Sequence, residues 1–507
     1  MSVFAEHTGK NMSPIAQHKF DLRHPDRLFI GGEWISPSTT STFDVINPAT
    51  EQVQMRVVAA QAADMDRAVA AARAAFDNGP WPRMSPAERA GYLRGFAEAL
   101  RAQPDRLGAI QSSEMGVLFS LAKPTVDWSA ARFDYYARLA DEFTFIERHT
   151  PVDGGRVGLL VREPVGVVGT IIPWNGPLSI TSFKIAPALL AGCTIVLKAS
   201  PEAPGEAYVM AEIAESIGLP SGVLNVVAAD REVSELLVRD PRVDKIAFTG
   251  STAAGRRIAS ILGERIGRYT LELGGKSAAI ILDDYDLAVA ANTLGTAATR
   301  LTGQACSCLT RIVVSRRRHD ELVDALSAVF SKVRVGDPFD SDSDMGPLVT
   351  KQQRERVERY IAIGKQQGAR LAYGGGRPAN LDRGWYVEPT VYANVDNSST
   401  IAQEEIFGPV LSVIPVDEDT QAVDVANDSI YGLNSSVFSN DIDRVYDIGR
   451  RLQSGTVGHN AFRGGDFTIG FGGFKQSGVG REGGVEGLLP YFETKTMLLD
   501  DVPSKLA

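Results

Sequence analysis

Two of the chain's three cysteines stand almost side by side in the run Gly303-Gln304-Ala305-Cys306-Ser307-Cys308. A Cys-x-Cys spacing is too tight for an ordinary structural disulfide. No second Cys/His pair stands where structural zinc would need one, so no metal site is expected. A thiol among short polar residues, just after a Gly-Gln, can be reached by solvent and substrate. Cys306 therefore reads as a candidate nucleophile, and a nucleophilic thiol needs surroundings that help it ionise. Leu271-Glu272-Leu273-Gly274-Gly275-Lys276 sets one carboxylate between leucines, before a Gly-Gly turn. Burial there would raise its pKa and suit it to general-base work, although an isolated Glu in such a run is ordinarily a structural partner. Gly250-Ser251-Thr252-Ala253-Ala254-Gly255 follows an expected strand and opens an expected helix. Glycines there let the backbone approach a phosphate, yet taken alone the run reads as a structural turn. Histidine, the usual thiol activator, is scattered. His7, His18 and His24 lie in the N-terminal arm, His149 in a polar linker, and His319 at a helix start. His459, beside Asn460 in a Gly-rich region, has the most suggestive context, but each histidine is ordinarily a surface or packing residue.

Something must bring these distant stretches together, and from Gly155 onward the chain has the pattern for it. Val157 to Val161, Val165 to Ile172, Thr194 to Lys198, Val223 to Val227, Lys245 to Phe248 and Ser277 to Leu282 are short β-rich runs. Amphipathic helices such as Ala207 to Ile217 and Ala253 to Leu262 fall between them. This alternation predicts an α/β fold with a parallel, doubly wound sheet, which binds ligands beyond the carboxyl ends of its strands. Three such ends lead into notable loops: Pro173-Trp174-Asn175-Gly176-Pro177, Lys198-Ala199-Ser200-Pro201-Glu202 and Phe248-Thr249-Gly250-Ser251-Thr252.

A second α/β unit is expected after Cys306. It has strands at Arg311 to Val314, Tyr386 to Val391 and Val410 to Val416, and helices at His319 to Val333 and Gln352 to Gln367. A Gly-rich loop runs from Gly470 to Gly478. Nearer the start, Asp64 is the expected cap of a helix reaching Asn78, and Ser85-Pro86-Ala87-Glu88 opens another. Both helices have alanine-rich faces expected to pack on a sheet. The alternating tail from Tyr491 to Leu499 reads as a strand available to pair with another subunit.

Composition narrows the function classes. A chain of 507 residues, 44% hydrophobic and 22% charged, is an ordinary globular protein of roughly two to four domains. A net charge of -10 with no basic face argues against nucleic-acid binding. The longest apolar stretches, such as Ala186 to Leu197, are too short to span a membrane. Met1 to Arg27 lacks an apolar core and reads as an ordered arm or loose tail, not a signal peptide. Few cysteines and no signal point to the reducing cytoplasm.

Four motifs then occur in order: Pro173-Trp174-Asn175, Leu271-Glu272-Leu273-Gly274-Gly275-Lys276, Gly303-Gln304-Ala305-Cys306, and Glu404-Glu405-Ile406-Phe407-Gly408-Pro409. Together they resemble the NAD(P)-dependent aldehyde dehydrogenase superfamily, and the separation of Glu272 from Cys306 matches its pattern. The resemblance runs from Phe29-Ile30-Gly31-Gly32-Glu33-Trp34 to Gly472-Gly473-Phe474-Lys475-Gln476-Ser477-Gly478. It implies two doubly wound parallel-sheet domains plus a small bridging or oligomerisation β-element. The Rossmann-like cofactor-binding domain would take residues 1–142 and 165–274, and the catalytic domain residues 275–476. Residues 143–164 and 477–507 would form the bridging element. A small-molecule aldehyde and a homodimer or homotetramer are the implied partners.

The same resemblance assigns roles. Cys306, rather than Cys308, would attack the aldehyde carbon. The Asn175 side-chain amide and the Cys306 backbone N–H would hold the oxyanion, and Glu272 would activate water against the thioester. NAD is the expected cofactor and NADP the alternative. Lys198 would sit at the adenosine ribose, Gly250 and Ser251 at the pyrophosphate, Trp174 along the cleft, and Glu405 and Phe407 at the nicotinamide end. One departure matters. Many NAD-preferring relatives carry Glu three residues after the Lys198 position, where this chain has Pro201, with Glu202 one step later. Its absence would remove one source of repulsion against a 2′-phosphate.

Substrate-tunnel positions are Gly176, Phe183, Arg300, Arg463 and Phe471. Gly176 replaces an often bulky residue and should widen the tunnel, while Phe183 and Phe471 keep it apolar. Arg300 matches an Arg of succinate-semialdehyde dehydrogenases, which also share the Cys-x-Cys. Their second carboxylate-binding Arg matches Phe183, so Arg463 is the candidate substitute, although plain ion pairing suits both arginines. The expected activity is oxidation of a medium-to-large, partly apolar aldehyde to its acid. The alternative is a semialdehyde dehydrogenase whose carboxylated substrate is held by Arg300. From other classes, a Cys306/His459 thiol hydrolase and a non-catalytic binding protein compete. Cys308 is either a redox neighbour of Cys306 or a small buried filler.

Overall fold

A computed structural model of the chain describes residues 21–504. Its frame is two sheets of mainly parallel strands. The first runs in the spatial order Gly478–Val479, Arg268–Glu272, Lys245–Thr249, Val167–Ile171, Thr194–Ala199, Leu224–Ala228, Leu28–Ile30 and Glu33–Ile35. Its central strands are parallel and its edges antiparallel. Val167, Ile171, Val196, Val227, Ile246 and Phe248 share one core with the helix Ala62–Asn78. Val168, Ile195, Leu197 and Val226 share the opposite core with the helices Phe119–Glu142 and Pro177–Ala191. Both faces are covered, which is why these strands read as nearly continuous apolar runs.

Strand register decides where a site can lie. Ile171 pairs with Lys198, and Phe248 pairs with both Ile171 and Leu271. The strands therefore end level, and the loops that follow leave along one edge of the sheet.

The second sheet runs in the order Arg370–Tyr373, Thr390–Ala393, Val410–Val416, Leu309–Ser315, Ser277–Ile281, Asn434–Phe438 and Thr456–His459, antiparallel only at its first pair. Leu273 to Lys276 links the carboxyl end of Arg268–Glu272 to the start of Ser277–Ile281. Ser277 pairs with Leu309, so the turn that carries Cys306 lies at that same starting end. The carboxyl edge of the first sheet thus meets the amino edge of the second.

Several expectations change. The run Val157 to Val161 lies outside the doubly wound sheet. It begins the strand Val157–Pro164, which pairs antiparallel with Ile146–His149 and Phe492–Leu499 in a separate sheet. Its later residues, Arg162 and Glu163 among them, are half-buried or exposed, as an antiparallel sheet outside the core allows. The tail therefore pairs within its own chain. Gln61, not Asp64, caps the helix Ala62–Asn78. Buried Asp64 instead accepts hydrogen bonds from Gln61 N at 2.9 Å and from Ser38 N and Oγ at 2.8 Å each. A buried carboxylate needs those extra donors, which an exposed cap position lacks. Ser85 does cap its helix, Pro86–Arg101, in a reciprocal box with Glu88. That helix packs on other helices, with Phe96 stacked on Phe133 at 5.1 Å, and not on a sheet. The strand expected from Tyr386 starts only at Thr390. Arg106 donates to the Asp21 carbonyl and Leu22 is buried, so this part of the arm is ordered. The remainder of the arm, with His7 and His18, lies outside the described residues. Among the described residues, no helix is long and apolar enough to cross a membrane.

Candidate active site

The turn before Cys306 is strained. After the helix Leu287–Thr299 the chain passes through Leu301, Thr302 and Gly303 with φ of 53°, 55° and 71°. Left-handed backbone costs on the order of 1–3 kcal/mol for a non-glycine residue, so the surroundings must enforce it. Thr302 Oγ1 donates to the Gly346 carbonyl at 3.0 Å. A Cβ on Gly303 would come within 2.3 Å of the Gly408 backbone. Fully buried Gln304 donates from Nε2 to the Leu301 carbonyl at 3.1 Å and accepts at Oε1 from Val349 N at 3.0 Å. These contacts explain a Gly-Gln ahead of Cys306. They also explain Gly275, whose Cβ would lie 2.4 Å from the Cys306 carbonyl.

Asn175 leaves the end of Val167–Ile171, and its Nδ2 donates to the Gln304 carbonyl at 3.0 Å. One amide hydrogen thus ties the first sheet to the Cys306 turn and the second is left for a ligand. The helix that follows is held by buried Glu206, whose carboxylate accepts from Leu178 N at 2.8 Å.

Cys306 is half-buried on a cleft of about 230 Å³, together with Trp174, Asn175, Gly250, Ser251, Glu405 and Phe407. Burial, then the carboxylates of Glu405 and Glu272, push its thiol above the ordinary range. Glu272 ends the strand Arg268–Glu272 and is only 4% exposed. Neither of its carboxylate oxygens has a hydrogen-bond partner among the described residues. One oxygen faces Gly472 so closely that a Cβ there would lie 2.7 Å away. Burial and the nearby Glu482 carboxylate hold its pKa well above the carboxylate range, against Lys184 and Arg481. Once deprotonated, a carboxylate in those surroundings is a stronger base than an ordinary one.

The cleft continues into two further lobes. One of about 450 Å³ shares Trp174, Gln353 and Arg356 with it. Glu202 joins that lobe to another of about 370 Å³, walled by Val238, Phe248, Ile258 and Ile261 and rimmed by Lys198. Burial pulls the Lys198 ammonium down to about 8, opposed by Glu202 and Asp230. Glu202 also accepts from Ser200 Oγ. Between the lobes, Ser251 caps the helix Thr252–Glu264, its Oγ accepting from Ala254 N at 3.3 Å. An apolar slot, a polar rim and a helix N-terminus along one groove fit a dinucleotide.

Glu405 and Phe407 are set by the helix expected at Gln352 to Gln367, to which the sequence assigned no role. In Lys351–Gln366, Gln353 Nε2 donates to the Phe407 carbonyl at 2.7 Å and Arg356 donates to the carbonyls of Glu405 and Ile406. These bonds hold Phe407 at a φ of 62°, edge-on to Trp174 at 5.5 Å. Glu405 accepts from Gly275 N at 3.0 Å. Their signal in the sequence was a polar pair three residues apart at a helix start, which any solvated helix face also shows.

The tunnel positions divide. A Cβ on Gly176 would meet nothing nearer than Ile180 at 4.0 Å, so the space beside it is open. Phe183 and Phe471 are half-buried. Arg300 and Arg463 are exposed, make no ion pair among the described residues, and line none of the three lobes. Cys308 is buried, donates to the Ala297 carbonyl at 3.9 Å, and burial pushes its thiol up to about 12. His459 is exposed and faces the Ser439 carbonyl at 3.2 Å, and no histidine lines the lobes.

A cysteine opening on a dinucleotide-shaped groove defines a cofactor-dependent enzyme of the α/β class. Known proteins make that narrower. The model of the aldehyde dehydrogenase family matches residues 34–497. Geranial dehydrogenase from Castellaniella defragrans is 44% identical over 473 residues, covering 93% of this chain and 98% of its own. A Mycobacterium tuberculosis aldehyde dehydrogenase complexed with NAD+ superposes with a TM-score of 0.91 at 46% identity, over 94% of this chain and 98% of its own. A mutant of aldehyde dehydrogenase C from Pseudomonas syringae, complexed with NAD+ and octanal, does so at 0.91 and 38%, over 96% and 99%. This chain belongs to the aldehyde dehydrogenase family.

Proposed function

We propose that this enzyme oxidises a medium-to-large, partly apolar aldehyde to its carboxylic acid through Cys306, with NAD as cofactor. The observation that carries the reading is the Asn175–Gln304 hydrogen bond, which locks an amide donor beside the Cys306 turn on the dinucleotide-shaped groove. Cys306 Sγ adds to the aldehyde carbon, and its proton leaves the thiol. The oxyanion takes the free Asn175 N–H and the Cys306 backbone N–H. When bound, the nicotinamide supplies the hydride acceptor and a positive ring beside the thiol. Glu272 then takes a proton from the water that cleaves the thioester, and Cys306 leaves as thiolate. Open space beside Gly176 and half-buried Phe183 and Phe471 suit a long, apolar chain, as does similarity to proteins named for geranial and bound to octanal. The test is formation of reduced cofactor on mixing protein, NAD and medium-chain aldehydes. No turnover across aliphatic, aromatic and semialdehyde panels overturns the reading.

Two expected results belong here. Asn175→Ala should lower kcat by about 10²–10³-fold, the usual effect of losing one oxyanion donor, with cofactor affinity within about threefold of wild type. Stopped-flow rates and NAD titration measure both. An unchanged kcat would remove Asn175 from the oxyanion site. Second, Glu202 lines the lobe rimmed by Lys198 and would take the place of the acid that Pro201 lacks. Glu202→Ala should raise the KM for NAD and narrow the preference for NAD over NADP by about tenfold, the effect of one charged hydrogen bond. Matched kinetics with both cofactors decide it, and an unchanged ratio excludes Glu202 as the selector.

We further propose that residues 1–142 and 165–274 bind cofactor, that residues 275–476 carry the thiol, and that residues 143–164 and 477–507 bridge subunits of a homodimer or homotetramer. The separate three-stranded sheet has free edges, with Met497 and Leu498 exposed on its Phe492–Leu499 strand, which supports such pairing. Gly478–Val479 is the exception, because it extends the first sheet. Free thiols at Cys193, Cys306 and Cys308 suit a cytoplasmic setting.

A further inference from the structure

Arg132, over the ring at the Phe183 tunnel position, makes no ion pair among the described residues. Asn434 Nδ2 donates to the carbonyls of both Ser307 and Arg463 at 3.0 Å, so the segment after Arg463 starts against the Cys306 turn. It runs outward to Phe467. There the Phe467 carbonyl and the Phe183 ring both lie within 3.3 Å of a Cβ built on Gly483. Phe183 is on the helix Pro177–Ala191, two turns beyond the Asn175 loop. Arg132, from the helix Phe119–Glu142, lies across both rings, 3.9 Å from the Phe183 centroid and 5.9 Å from that of Phe467. Trp128, one turn earlier and 61% exposed, meets Phe467 edge-on at 6.2 Å.

Arg132 is only 9% exposed. Its Nη1 donates to Ser182 Oγ at 3.0 Å and the Ser179 carbonyl at 3.5 Å. Its Nε is sealed from solvent without a partner. Its Nη2 makes no hydrogen bond among the described residues and is not sealed. Among the described residues no carboxylate pairs with it, and the nearby Glu482 is paired with Lys184. A guanidinium carries five donors and a full charge, and buried ones normally have a carboxylate partner. An aromatic face compensates only part of that.

From this geometry we propose that Arg132 is an anion-binding subsite of the substrate channel, selecting aldehydes that carry a carboxylate on the far end of an apolar chain. The proposal rests on Cys306 as the aldehyde-binding thiol. It moves the carboxylate anchor from the exposed Arg300 and Arg463 to a buried residue with an open donor. The walls of Phe183, Phe467 and Trp128 take the intervening methylenes, and Nη2 takes the carboxylate in a charge-assisted bond.

The test is kcat/KM for a chain-length series of ω-carboxyl aldehydes and matching n-alkanals, with wild type, Arg132→Met and Arg132→Lys. Wild type should prefer the carboxylated member at one chain length by about tenfold or more, the yield of one charge-assisted bond. Arg132→Met should erase that preference and leave the alkanals within about threefold, and Arg132→Lys should restore part of it. Equal loss for both series, or no preference in wild type, overturns the proposal. If Arg132→Met fails to fold, wild type still decides. Long dicarboxylates should compete with alkanals while matching alkanols do not, and equal inhibition by both refutes the subsite. Oxidation of neither series would instead refute the aldehyde reading itself.

Discussion

Cys306→Ser should abolish aldehyde oxidation and leave cofactor binding intact. The expected loss is about 10⁴-fold or more, the scale felt when the nucleophile of a coupled catalytic unit is removed. The cleft already raises the pKa of the thiol, through burial and the carboxylates of Glu405 and Glu272. A hydroxyl is far harder to ionise, so the same surroundings leave serine neutral and unreactive. Cofactor affinity should survive because Lys198 and Glu202 line another lobe, and Gly250 and Ser251 offer backbone and a helix N-terminus that do not depend on the sulfur. The turn should also survive, since Thr302, Gly303 and Gln304 hold it without using the sulfur. Steady-state rates and calorimetric titration with NAD check the two halves. Cys308 is buried against Ala297, so Cys308→Ser should keep activity, and residual oxidation in Cys306→Ser would mean that another group is the nucleophile.

Glu272→Gln should lower kcat by about 10²–10⁴-fold, the usual reach of general-base catalysis. It should also remove a pH limb. In the folded protein Glu272 holds its proton well above the ordinary carboxylate range, because it is buried beside Glu482. Only the deprotonated form can accept a proton from water. Deacylation in wild type should therefore rise with pH and level off once pH passes that raised pKa. Lys184 and Arg481 work in the opposite direction and limit the rise, and Glu482 itself is paired with Lys184. Glutamine fits the same space but offers no basic oxygen, so the variant should be slow and flat in that range. A kcat–pH profile of both proteins is the measurement. Parental rate with the same limb would show that another group is the base.

Sequence and structure agree where chemistry depends on chain order. The loops after Ile171, Lys198 and Thr249 were legible as strand ends, and parallel register alone places them along one edge. The capping box at Ser85 was legible because its partners are three residues apart. What stayed hidden depends on contacts between distant residues. Asp64 looks like a cap until Ser38 comes to it across the fold. The strand Val157–Pro164 reads like its neighbours, and only its partner Phe492–Leu499 assigns it to another sheet. Leu301 and Thr302 carry no letter that announces left-handed backbone, since packing against Gly346 and Gly408 imposes it. Arg300 drew attention by its spacing from Cys306, whereas Arg132 sits in an unremarked helix and matters only because its guanidinium is buried without an acid.

The proposed chemistry turns on a covalent acyl group at Cys306 that Glu272 releases. Intact-mass spectrometry of Glu272→Gln, mixed with a turned-over aldehyde and NAD and quenched in acid, tests it most directly. The protein should gain the mass of one acyl group, located by peptide mapping on Cys306, with reduced cofactor formed in equal amount. Reduced cofactor without any adduct, or an adduct on another residue, would contradict the account.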